Sequence, residues 1–209
     1  MGREGEEPPH MRSIKQEGKV VKGSFQEIAD IMVTDGKNKL MEPGAHNILI
    51  YNDLKAFREI YSQYSRAVLP ENEIVVIATQ YDTISDVKNT LRLGGIDVGK
   101  YLNQETLFII DAQQGYQDAD GSGIWKLYKS LISRVKKEDR RGVTFFGDLG
   151  SFFGFEKIEE LMQYELSLPQ KYEDTLKGIC CYHLKDFENL SETQQQTLFD
   201  HHFKSMSVE

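Results

Sequence analysis

Cysteine is nearly absent. The 209 residues hold two, Cys180 and Cys181, and they are neighbours. Neighbouring strand residues point to opposite faces, so a disulfide between them would be strained and no disulfide framework exists. Two adjacent thiols alone make no metal cage. Their expected role is that of small buried hydrophobes, and so sparse a usage fits a reducing cytoplasm. Long apolar runs are also missing, and none reaches the ~20 residues that cross a bilayer. Met1–His10 is polar and contains proline, unlike a secretory leader. Positive charge is in deficit: 25 Lys and Arg against 33 Asp and Glu leave a net charge of −8. An acidic surface repels phosphate backbones. The densest basic run, Lys136-Lys137 to Arg140-Arg141, is interrupted by Glu138-Asp139. Neither a nucleic acid nor a membrane is therefore expected as a partner.

What is present is one sizeable core, since 39% of the residues are hydrophobic. Residues 1–22 are charged with little periodicity and read as a flexible tail. Residues 23–42 read as a helical extension. Ser24 to Glu27 has the form of a capping box, and Phe25, Ile28, Ala29 and Met32 share a helical face. From residue 43 to 209 strands and helices alternate. Ile48–Tyr51, Ile74–Thr79, Leu107–Ile110, Val143–Phe146 and Ile179–Tyr182 are short apolar strands. Helical stripes follow from Leu54, Thr83, Ile124, Ile158 and Ser191. Such alternation implies parallel strands joined by right-handed crossovers, an α/β fold with helices on both faces of the sheet. Asp111–Gly123 reads as a Gly-, Asp- and Gln-rich linker, and Gly147–Phe155 as a mobile apolar segment.

One motif is conspicuously missing. The first strand runs into its helix through Tyr51-Asn52-Asp53-Leu54. A nucleotide-hydrolysing α/β protein would carry a glycine-rich loop and a lysine there, to supply amides and a charge to phosphates. Asp53 would repel them. Val143–Asp148 has the form of a strand whose terminal Asp holds magnesium, but that pattern recurs in many parallel strands. No G-x-S-x-G elbow exists, and neither cysteine adjoins a helix N-terminus that would activate a thiol. A non-enzymatic protein is expected.

Strand C-termini of an open α/β sheet converge on a crevice. Tyr51, Gln80, Tyr81, Asp111, Tyr116, Asp148, Tyr182 and His183 lie at or past such ends. Aromatic rings with a few polar groups make a ligand pocket; the alternative is that they cap the core and the helices. His46, Glu165 and His202, with Asp148, could form a polar or metal-binding cluster. The spacing matches no H-x-H or H-E-x-x-H pattern, and no metal or cofactor is assigned. His202, four residues past Leu198, shares that residue's buried helical side.

Residues 46 to about 203 resemble the DcmR-like sensory domain, called MEDS. The match rests on His46 and Tyr51 at the first strand, Ile109-Ile110-Asp111-Ala112 with Tyr116, and Gly147-Asp148. Tyr164-Glu165, Cys181-Tyr182 and His202 complete it. The family in turn looks like the KaiC and RecA ATPases with the phosphate loop lost. The resemblance implies a three-layer, mainly parallel RecA/KaiC-like sheet. It also implies a sensory or signal-transduction role: a small molecule bound at the strand C-termini and a signal passed to a kinase or transcription regulator. To the strand-end candidates Tyr51, Asp111, Tyr116 and Asp148 it adds ligand contacts from His46, Glu165, Tyr182 and His202. The rival readings are an interaction scaffold built on a degenerate ATPase, and a residual nucleotide-binding enzyme.

Overall fold

Apolar runs without alternation belong in a sheet covered on both faces. In the computed structural model, which describes residues 20–33, 41–117, 122–172 and 175–208, that is where they lie. Strands β2 (His46–Tyr51), β3 (Glu73–Thr79) and β5 (Gly142–Asp148) are buried along their whole length. With β4 (Leu107–Asp111) and β6 (Leu176–His183) they form the centre and one edge of the sheet. Two further strands, β1 (Val20–Gly23) and β7 (Lys204–Val208), complete it. The order is β1-β7-β2-β6-β5-β3-β4, with every pairing parallel. This is the three-layer, parallel α/β class expected from the sequence.

Strand alternation divides the core. Leu49, Tyr51, Val75, Ile77, Ile179 and Cys181 face α1 (Phe25–Val33), α2 (Leu54–Val68), α3 (Ile84–Leu93) and α4 (Val98–Asn103). On the opposite face Ile74, Val76, Val143 and Phe145 meet α6 (Ser122–Lys137). Beside them Ile48, Ile50, Cys180 and Tyr182 meet α8 (Ile158–Ser167), α9 (Leu184–Phe187) and α10 (Glu192–His201). Local signals set the helix starts. Asp53 accepts the amide of Ala56 at 2.8 Å and caps α2. Thr83 with Asp86 and Ser191 with Gln194 close reciprocal capping boxes on α3 and α10.

Four expectations need correction. β1 begins inside the stretch read as tail, of which residues 1–19 lie outside the described residues. It pairs with β7, itself unforeseen because Lys204–Val208 is short and holds only two apolar residues, Met206 and Val208. Asp111–Gly123 is not a plain linker, because α5 (Ala112–Gln117) starts directly at the end of β4 and α6 starts at Ser122. The Gly147–Phe155 segment contains a short helix, α7 (Gly150–Gly154), and Phe152 and Phe153 pack on the α8–α10 cluster.

Candidate functional site

The C-terminal ends of β2 and β5 meet through one hydrogen bond. Tyr51 is wholly buried, stacks on Phe57 with ring centroids 4.6 Å apart, and donates its hydroxyl to Asp148 Oδ2 at 3.0 Å. Asp148 Oδ1 accepts the amide of Gly150 at 3.0 Å, and Oδ2 also accepts that of Gln80 at 3.4 Å. Burial pushes the Asp148 carboxyl up to about 7 against these three hydrogen bonds. Burial, then the adjacent Asp148, raises the Tyr51 phenol far above its ordinary value. Both side chains are therefore a wall behind the crevice, not its lining.

The open part lies on the β3–β4 side. A groove of about 450 Å³ is lined by residues 80–85, Asp111 and Gln113. Asp148 supports its wall by holding the Gln80 amide. Asp82 fixes its base, accepting from Arg58 Nε at 3.0 Å. Gln80 Oε1 is buried there without a hydrogen-bond partner, which a ligand donor would satisfy. Tyr81, 43% exposed, forms a rim: its ring lies over Gly150 and its hydroxyl bonds to Asp186. Asp111 turns one oxygen back to the amides of Gln113 and Gln114, capping α5. Tyr116 falls on α5, and its side chain lies outside the described residues.

The remaining candidates are elsewhere. His46 opens β2, five residues before Tyr51, about 17 Å along the strand. It is a buried strand residue on the α8–α10 face. There Glu165 near the end of α8, Tyr182 on β6 and His202 capping α10 converge on it. Tyr182 gives its hydroxyl to Glu165 Oε1. Glu165 Oε2 lies 3.8 Å from His46 Nε2 and 3.4 Å from His202 Nε2. Cys180, read as a plain hydrophobe, belongs here too: its Sγ is 3.3 Å from both His46 Nε2 and Glu165 Oε2. Asp148 does not. Cys181 points to the other face, as neighbouring strand residues must.

Burial alone would raise the Glu165 pKa, but the positive charge that His202 and His46 can carry outweighs it and holds the carboxyl at about 2. Burial, then His202, brings His46 down to about 3. Burial pushes both thiols well up. Of the eight expected ligand contacts, Asp111 lines the groove, Tyr51 and Asp148 stand behind it, His46, Glu165, Tyr182 and His202 gather in the buried polar cluster, and the Tyr116 side chain lies outside the described residues. Gln80 was expected at a strand end, whereas Asp82 was the missed groove residue; its place just past a buried strand was the available signal. No sequence spacing marks Cys180.

These features define a parallel α/β domain with a groove at its strand C-termini and a second, closed cluster under α8 and α10. The chain belongs to the MEDS family, the MEthanogen/methylotroph, DcmR Sensory domain, whose model matches residues 45–202. Among solved structures it is similar to the flagellar accessory protein FlaH from Methanocaldococcus jannaschii, at 12% identity and a TM-score of 0.46. That match covers 86% of this chain and 76% of the other. Comparison with curated proteins finds no match. Among the described residues no helix is long and apolar enough to cross a membrane.

Proposed function

We propose that the chain is a non-enzymatic sensory domain that takes a small organic molecule in the strand-end groove and relays its presence to a signalling protein. The observation that carries this reading is the use made of the β2–α2 corner. The Asp53 carboxylate sits at the start of α2 and takes the Ala56 amide, where it would repel a phosphate, and Asp148 is engaged by Tyr51, Gln80 and Gly150. Neither group is left to grip a triphosphate or its metal. The groove beside them offers the unsatisfied Gln80 Oε1 and the Asp111 carboxylate as acceptors, with Tyr81 and Ile84 as apolar walls. A compact ligand with a hydroxyl or amine donor suits that lining.

The relay runs along α3. Its N-terminus, Thr83 to Ser85, forms one side of the groove, and its far end presents Leu93, 91% exposed, to a partner. A ligand acts by biasing where α3 sits. A thermal-shift screen of the full chain against small alcohols and amines, with nucleotides as controls, tests the reading. A true ligand at a hundredfold over its Kd stabilises by about 2.7 kcal/mol. Its Tm shift should vanish in Gln80→Ala and Asp111→Ala. Turnover of Mg-ATP by the purified chain would overturn the proposal.

A further inference from the structure

We propose that His46, Glu165, Cys180 and His202 hold one Zn²⁺ ion in a closed tetrahedral site. The four donor atoms lie within 4.8 Å of one another, and all four residues are buried. Zinc binds nitrogen and oxygen at about 2.0–2.1 Å and sulfur at about 2.3 Å, so tetrahedral geometry places neighbouring donors about 3.3–3.6 Å apart. The separations found are 3.3 Å for His46 to Cys180, 3.3 Å for Cys180 to Glu165, 3.4 Å for His202 to Glu165 and 3.8 Å for His46 to Glu165.

The surroundings orient each donor inward. His46 Nδ1 lies 3.0 Å from the Pro169 carbonyl and His202 Nδ1 2.7 Å from the Leu198 carbonyl. A carbonyl only accepts, so both Nδ1 atoms carry hydrogen and both Nε2 atoms are turned to the centre. This is the arrangement that supports metal-bound histidines. His202 Nε2 is buried and makes no hydrogen bond there. Tyr182 holds the other oxygen of Glu165, which leaves Oε2 facing in. Two imidazole nitrogens, a carboxylate oxygen and a sulfur thus confront each other in a site that needs positive charge. Zn²⁺ with one thiolate, one carboxylate and two neutral imidazoles sums to zero, the charge state burial favours. On binding, the Zn–S bond replaces the S–H bond of Cys180, and the proton leaves to solvent.

The donor set selects the ion. Calcium and magnesium demand six or more oxygen-rich ligands, whereas mixed nitrogen, sulfur and oxygen in fourfold coordination suits zinc. Four protein ligands leave no open position, so the site is structural. It ties β2, β6, α8 and the end of α10 together. It stands apart from the groove, at the other end of β2, and does not depend on the sensory reading.

The full chain purified from zinc-supplemented culture and dialysed should contain about one zinc per chain by elemental mass spectrometry. Apoprotein given Co²⁺ should develop thiolate-to-cobalt absorption in the near ultraviolet together with the strong visible bands of tetrahedral cobalt. Cys180→Ser should lose the thiolate band, and Cys181→Ser, on the opposite face, should keep it. Zinc below a tenth of an equivalent with no cobalt spectrum would overturn the site. So would an unchanged thiolate band in Cys180→Ser, or full occupancy by a different metal. Should Cys180→Ser fail to fold, the metal content and cobalt spectrum of the unaltered chain decide the matter alone.

Discussion

Asp148 is a carboxyl with no access to water and only neutral hydrogen-bond donors to receive its charge, while Asp186 repels it. Burial lifts its pKa to about 7, despite the amide of Gly150, the hydroxyl of Tyr51 and the amide of Gln80. In the unfolded chain it titrates near 4. Between those values the folded state binds the extra proton, so its contribution to stability falls as pH rises and levels off above about 7. The loss amounts to at most about 4 kcal/mol. His46, lowered to about 3, slopes stability the other way. Urea unfolding at pH 4.5 and 7.5 should therefore show an acid-favoured difference between the unaltered chain and Asp148→Asn, in which the two His46 contributions cancel. That Tyr51 and Asp148 come to the same end of the sheet was legible in the sequence, because both close buried strands and parallel strands end together; their hydrogen bond across β6 was not. His202 was legible as an inward residue from its spacing to Leu198. Cys180 was not, since its neighbours His46 and Glu165 arrive from strands and helices far along the chain and nothing local announces them.

Helix starts were written plainly. Ser191 with Gln194 and Thr83 with Asp86 pair reciprocally, as their order in the chain implies. Short helices were not, because α4, α5 and α7 each span too few residues to show a periodic stripe. Tertiary contact holds them instead. Gly150 in α7 shows how: a Cβ there would sit 2.7 Å from the Tyr81 ring. Gly150→Ala should push Tyr81 away from Asp186 and disturb the groove rim. Overpacking of this kind costs about 1–3 kcal/mol, measurable by urea unfolding and accompanied by weaker binding of any groove ligand.

At the scale of the whole molecule, the segment before the alternating core is no appendage. Ile28, Ala29 and Met32 of α1 are buried with Phe57, Ile60 and Tyr61 of α2 in the largest core cluster. Ile28→Ala should cost about 2–5 kcal/mol, as a deletion from a packed interior does, and a single cooperative unfolding transition should persist. The central strands were legible as uninterrupted apolar runs, while the two strands beside β2 on the far edge were too short and too polar to stand out. Their arrangement bears on how the chain matures on the ribosome. β1 pairs only with β7, and β7 lies between it and the rest of the sheet. The earliest of the described strands to leave the exit tunnel has no seat until residues 204–208 have emerged. Among the described strands the one made first takes its place last, with its backbone unpaired while the strands from β2 to β6 are synthesised.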